Sequence, residues 1–148
     1  MDLQIRRMKK EDIEACTELF IQAFAREPWK ENHEALTVRT YYKNFMENPA
    51  FIGYVAEMGG KILAVCIGMS KPWMKGIEYY LDLLCVDWRW QGKGIGSLFL
   101  EKVQQELEKD GIHGVLLSTE RKEQCQNPII RSCRDRWLKD FSSTTRNR

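Results

Sequence analysis

The chain has 148 residues, of which 43% are hydrophobic and 30% charged, and its formal net charge is +2. That length suits one domain around one core, and so mild a charge argues against a nucleic-acid partner. No apolar run approaches the roughly 20 residues of a membrane span, and Met1-Asp2-Leu3-Gln4-Ile5-Arg6-Arg7 lacks the apolar stretch of a secretion signal.

Leu3 and Ile5 alternate with polar residues and predict a short first strand. Glu11 to Ala25 reads as a helix with Ile13, Cys16, Phe20, Ala23 and Phe24 on one face, and Pro28 stops it. After Pro28-Trp29 a second helix is expected from about His33 to Met46, with Ala35, Val38, Tyr42 and Phe45 as its stripe. Asn48-Pro49 ends it. Phe51 to Glu57 is strand-like, Met58-Gly59-Gly60-Lys61 is a hairpin signal, and Ile62 to Met69 returns as the partner. Ser70 to Gly76 reads as a loop and Glu78 to Val86 as the next strand. A helix follows from about Ile95 to Lys109, with Phe99, Val103 and Leu107 at helical spacing and Asp110-Gly111 at its end. Ile112 to Ser118 is a strand, and Thr119 to Gln126 a polar loop. Pro128 suits the first turn of a last helix. The expected order is β-α-α-β-β-β-α-β-α in a single domain over 1–140. A basic polar tail, Phe141 to Arg148, follows.

Between the strand at Tyr79–Val86 and the helix at Ile95 lies Gln91-Gly92-Lys93-Gly94-Ile95-Gly96. A glycine turn that opens onto a helix presents unpaired N–H groups at the positive end of the helix dipole, which is an anion site. Three alternating glycines each cost a helix about 1 kcal/mol, so simple architecture does not require them. A P-loop needs Gly-Lys followed by Ser or Thr, but Gly94 follows Lys93. In a dinucleotide fingerprint the third glycine comes one position later, and that fold needs several β-α-β units although Glu120 is spaced to suit a ribose. The run matches Q/R-x-x-G-x-G/A, and Leu84-Cys85-Val86-Asp87 resembles the L-x-V-D/N strand end before it. On these residues the chain, from about Met1 to the Pro128 region, resembles the GNAT family of N-acetyltransferases.

The resemblance implies an α/β (α+β) fold with a mixed, mostly antiparallel sheet flanked by helices, and acetyl-CoA as cofactor. It implies that Gln91, Gly92, Lys93, Gly94, Ile95, Gly96 and Ser97 hold the pyrophosphate, and that Leu84, Cys85 and Val86 hold the pantetheine arm beside a splayed neighbouring strand. Asn127, just before Pro128, joins the cofactor-binding set. Glu78 and Asp82 lie on the predicted central strand and alternate onto one face with Tyr80 and Val86. Either can accept the amine proton, or Asp82 can instead pair with a buried donor. Relatives often carry their acid where this chain has Leu83. The family's C-terminal tyrosine, which protonates the departing thiolate, is replaced by Cys133, and its Gly-Phe pair falls on Trp137-Leu138. The C-terminal end is shortened, and a second copy of the chain would complete the open edge as a homodimer.

Five cysteines (Cys16, Cys66, Cys85, Cys125 and Cys133) form no C-x-x-C pair, so no metal site is expected. A reducing cytoplasm is the simplest setting for them. His33 and His113 are the only histidines, and each reads as a loop or junction residue rather than a catalytic one. Most aromatics are assigned to the core, with Trp29 and Trp73 as pocket candidates. Trp88 and Trp90 either border the adenine or cover the turn. The implied activity is acetyl transfer from acetyl-CoA to a primary amine of a small molecule or peptide, with an acceptor pocket made by Pro28–Glu34 and Ser70–Gly76. The alternative is an acyl-CoA sensor or interaction module with a degenerate site.

Overall fold

The computed structural model describes residues 2–26, 30–74 and 76–117. Five strands form one sheet in chain order. β1 (Gln4–Arg7), β2 (Phe51–Met58), β3 (Lys61–Trp73) and β4 (Gly76–Val86) pair antiparallel. β5 (Ile112–Leu117) runs parallel to β4. A parallel neighbour needs a crossover, and α3 (Ile95–Lys109) supplies it. α1 (Ile13–Phe24) and α2 (Ala35–Met46) connect β1 to β2. This is the mixed, mostly antiparallel sheet flanked by helices that the sequence predicts, in the predicted order as far as β5.

Each sheet face carries its own core. On one, Ile13, Cys16, Leu19 and Ala23 of α1 and Val38 and Tyr42 of α2 pack on Val55, Val65, Ile67, Leu83 and Cys85. On the other, Ile95, Phe99, Leu100, Val103 and Leu107 of α3 pack on Tyr54, Ala64, Cys66, Tyr79, Leu81, Leu84 and Val86. The α3 stripe falls at the spacing read from the sequence. In α1 the buried stripe runs through Leu19, while Phe20 and Phe24 are only partly buried. Gly59 and Gly60 both have positive φ, 60° and 78°, as a two-residue hairpin turn requires. Arg6 ties the layers together. Its guanidinium donates to both Asp12 carboxylate oxygens at 2.8 Å and also pairs with Glu57 of β2.

Two expectations are corrected here. Ser70–Gly76 is mostly strand, because β3 continues to Trp73 and pairs with β4 through Ser70↔Tyr79, Lys71↔Glu78, Pro72↔Ile77 and Trp73↔Gly76. Polar residues mimic a loop there because the hairpin runs out past the core: Lys71 and Pro72 are exposed, and Met74 is 89% exposed. The second correction concerns the faces of β4. Ile67 pairs with Leu83 but Gly68 pairs with Leu81, so Asp82 is an extra, bulged residue. The bulge reverses the alternation. Tyr79 and Leu81 share the α3 face with Leu84 and Val86, whereas Leu83 and Cys85 face α1 and α2. Val86 therefore does not share a face with Tyr80. Pro28, Trp29, Glu120, Cys125, Asn127, Pro128, Cys133, Trp137 and the tail lie outside the described residues, as does the expected last helix.

Gly68 sits opposite the bulge for a steric reason. A Cβ there would lie 2.3 Å from the Tyr80 carbonyl oxygen and 2.7 Å from the Tyr79 ring. That ring is fully buried, and its hydroxyl donates to the Ile52 carbonyl at 2.8 Å. Gly68→Ala is expected to lower stability by about 1–3 kcal/mol through overpacking, read from the urea midpoint. An unchanged midpoint would show that the bulge relaxes freely.

Candidate functional site

The end of β4 presents backbone as well as side chains. The Asp87 N–H donates to the Leu63 carbonyl at 2.7 Å, so Asp87 points its backbone at β3. By antiparallel alternation Cys85 does the same, while Leu84 and Val86 turn their N–H and C=O groups toward the β5 side. β5 pairs with β4 only as far as Leu81↔Leu117. Among the described residues no strand covers that edge beyond Leu81. Gln91 Nε2 donates to the Val86 carbonyl at 3.1 Å, so this side chain clamps the turn to the strand end. The Leu84 N–H and C=O and the Val86 N–H remain along the edge. Cys85 contributes no side chain to it: its buried thiol lies 3.6 Å from the Leu19 carbonyl, and burial pushes its pKa far up.

The turn itself is held by Asp87. Its carboxylate accepts from the Arg89 N–H at 2.9 Å and from the Arg89 guanidinium at 3.1 and 2.9 Å. This fixes a 3-10 turn over Trp88–Trp90. Trp88 lies under the Arg26 guanidinium, 3.3 Å from its ring centroid, and Trp90 packs against the α3-side core with Lys93 Nζ 5.3 Å above it. Gly92 and Gly94 follow with φ of 79° and 82°, left-handed values that other residues adopt at a cost of about 1–2 kcal/mol. A Cβ at either would meet nothing within 4 Å, so both open outward. Gly94 caps α3 without any side-chain cap, and the first intrahelical bond is Leu98 N–H to Gly94 C=O at 3.0 Å. The N–H groups of Ile95 and Gly96 precede that bond and point out of the helix end. Lys93 is exposed beside them.

The two acidic candidates sit in different surroundings. Glu78 is 2% exposed, opposite Lys71 in register. Asp82 is exposed at the bulge, and its Oδ2 accepts from the Tyr41 hydroxyl of α2 at 2.8 Å. Burial, then the nearby Asp82 charge, holds the Tyr41 hydroxyl far above its ordinary pKa, so it stays a donor. The Tyr41 ring stands 5.4 Å from Tyr42, 5.8 Å from Phe45 and 6.1 Å from Phe20. His33 meets Phe20 edge-on at 5.1 Å and pairs with Glu31 at 2.7 Å. His113 is exposed on β5. Asp82, the β4 edge that no described strand covers and the glycine turn thus share one end of the sheet. Cys133 and Asn127 are outside the described residues.

Sequence reasoning missed Gly68 and the role of Tyr41. A lone glycine inside a strand pattern is a bulge signal. Tyr41 gave none, since aromatics at helical spacing read as core. A cleft of about 410 Å³ between α1 and the β2–β3 hairpin contains none of the expected site residues. Its Arg6 and Arg89 are already paired with Asp12, Glu57 and Asp87.

The sequence model of the acetyltransferase (GNAT) family matches residues 13–126. Among curated proteins no relative matches the chain. Solved structures share the fold at low identity. A possible acetyltransferase from Clostridium difficile 630 is 15% identical with a TM-score of 0.71, over 89% of each chain. An aminoglycoside acetyltransferase from an uncultured soil metagenomic sample, in complex with sisomicin, is 19% identical with a TM-score of 0.64, over 88% of this chain and 86% of that one. A predicted acetyltransferase from Clostridium acetobutylicum, solved with acetyl-CoA, is 17% identical with a TM-score of 0.63, over 88% of each chain. No helix among the described residues is long and apolar enough to cross a membrane.

Asp87 gives the site a pH signature. The Arg89 side chain, opposed by burial and aided by the Arg89 N–H, holds its carboxyl below the usual carboxylate value. A depressed folded pKa contributes stability above about pH 4, the unfolded value, which is lost as pH falls through the folded value. Asp87→Asn is expected to melt earlier than wild type at pH 7, with the gap closing as pH drops below about 4. A gap constant with pH, in thermal melts at both ends of that range, would remove the ion pair as its cause.

Proposed function

The chain belongs to the GNAT acetyltransferase family, and we propose from that premise that it moves acetyl from acetyl-CoA directly to a primary amine of a small molecule or peptide. The observation that carries this reading is a β4 edge that, among the described residues, no strand covers beyond Leu81, followed directly by the glycine turn and the N-terminus of α3. The pantetheine amides would pair with the Leu84 N–H and C=O. The pyrophosphate would sit on the N–H groups of the Gly92–Ser97 turn, with Lys93 as a screening cation. When bound, acetyl-CoA supplies the activated thioester. The Val86 N–H at the strand edge would polarise the thioester carbonyl. Asp82 stands exposed beside that edge and takes the proton of the incoming ammonium. Glu78 is the second candidate and is far less accessible. By the sequence resemblance alone, Cys133 would protonate the departing thiolate in place of the family's tyrosine.

Relatives of this fold include one solved with acetyl-CoA and one with an aminoglycoside, which supports the cofactor and an amine acceptor here. The buried Cys16, Cys66 and Cys85 form no disulfide among the described residues, in keeping with work in a reducing cytoplasm.

Calorimetric titration with acetyl-CoA, with NAD and ATP as controls, tests the cofactor. Saturable binding of acetyl-CoA alone is expected. Gly94→Asp adds bulk and negative charge beside the pyrophosphate and is expected to weaken that binding by at least ~100-fold, roughly the 3 kcal/mol lost when a charge-assisted anion contact becomes repulsive. Unchanged affinity in a folded Gly94→Asp protein would remove the turn as the anion site. Binding without release of CoA thiol to any amine would favour the sensor. Cys133→Tyr is expected to raise turnover if residue 133 is the acid, and equal rates would exclude it from that role.

A further inference from the structure

Bulged residues lose the cross-strand partner that fixes neighbouring side chains. Asp82 is such a residue, unmatched between Ile67↔Leu83 and Gly68↔Leu81. Its carboxylate is exposed, so the β3–β4 ladder does not orient it. Yet among the described residues one hydrogen bond holds it, from the Tyr41 hydroxyl to Oδ2 at 2.8 Å. The donor is itself fixed. Its ring lies within the Phe20, Tyr42 and Phe45 cluster. Tyr42 in turn donates to the Cys16 carbonyl of α1 at 3.1 Å. An exposed carboxylate is therefore anchored through one oxygen to the α1–α2 layer, and its other oxygen has no hydrogen bond among the described residues.

We infer that Tyr41 is a positioning residue for acetyl transfer, holding Asp82 so that Oδ1 meets the acceptor amine. The inference rests on the reading above, in which Asp82 takes the amine proton. The step balances without a further reactant. R–NH₃⁺ gives one proton to Asp82 Oδ1, and the freed nitrogen pair forms the new C–N bond at the thioester carbon. The C–S bond breaks, the CoA thiolate leaves with the electron pair of that C–S bond, and it takes up the second proton that the nitrogen sheds as the amide forms, while the proton on Asp82 passes to solvent. The titratable and charged groups around this face are Tyr41 and Tyr42 of α2, Cys16 of α1, Glu31 and His33 before α2, Lys71 of β3, and Glu78 and Cys85 of β4. Only Tyr41 bonds the Asp82 carboxylate among the described residues. A bond that merely pinned α2 to β4 would show in stability and not in turnover.

The test is kinetic, with release of CoA thiol followed for spermidine, sisomicin and an alanine-terminated peptide as acceptor probes. Tyr41→Phe keeps the ring and removes the hydroxyl. Expected is a fall in kcat of roughly 10-fold or more, the scale of a hydrogen bond to a charged group, with KM for acetyl-CoA unchanged. In an Asp82→Asn background the same change is expected to cost nothing further, since residues acting as a unit are not additive. Asp82→Glu leaves Tyr41 in place, shifts the carboxylate by one methylene and is expected to lose part of kcat. The inference is overturned by full kcat in Tyr41→Phe, by additive losses in the double variant, or by full kcat in Asp82→Glu. Full activity in Asp82→Asn would instead defeat the assignment of Asp82, and no turnover of any probe would defeat the amine-transfer reading, each taking the inference with it.

Discussion

At Asp82 the central strand carries one residue that its neighbour does not match, and most of the site's geometry descends from that mismatch. Upstream, Tyr79 and Leu81 point into the α3 core; downstream, Leu84 and Val86 do. Without the extra residue, Leu84 and Val86 would face α1 and α2, and the apolar stretch of β4 would be split between the wrong layers. The bulge also pushes Asp82 out of the ladder toward α2, where Tyr41 meets it. It requires a partner strand without a side chain at the point of closest approach, and Gly68 supplies that. A carboxylate, a strand edge and a helix end are thereby brought to one end of the sheet.

The glycine turn depends on a second, electrostatic constraint. Asp87 and Arg89 close the 3-10 turn through both backbone and side chain, and Gln91 fastens the next residue back to Val86. Those bonds hold the chain where Gly92 and Gly94 take left-handed conformations and α3 begins. The α3 apolar stripe then anchors the helix, and its first-turn N–H groups precede the first intrahelical bond, Leu98 to Gly94. Clamp and core together fix the backbone of the turn, which is the preorganisation that the proposed anion site calls for.

Periodicity made most of this architecture legible from residues alone. The α3 helix, the Gly59-Gly60 hairpin and the strand order follow from spacing and turn chemistry, because those signals are local. Gly92, Gly94 and the strand end at Leu84–Val86 were legible for the same reason, as a motif needs only contiguous residues. What was lost is non-local. Strict alternation placed Val86 with Tyr80, since a bulge is decided by the partner strand and not by β4. Ser70–Pro72 read as loop because hairpin length beyond a core leaves polar residues, which resemble turns. Tyr41 passed as a packing aromatic because its hydrogen bond crosses from α2 to β4, a contact that no spacing rule encodes. Cys133 and Asn127 lie outside the described residues.

Residue-resolved amide hydrogen exchange, with and without saturating acetyl-CoA, tests the central claim most directly. The claim is that backbone at the β4 edge and the α3 N-terminus holds the cofactor. The account expects exchange to slow at the Leu84, Val86, Ile95 and Gly96 amides together, while the Cys85 amide, already turned to β3, changes little. Exchange unchanged at those four amides under saturation, with protection appearing elsewhere, would contradict it.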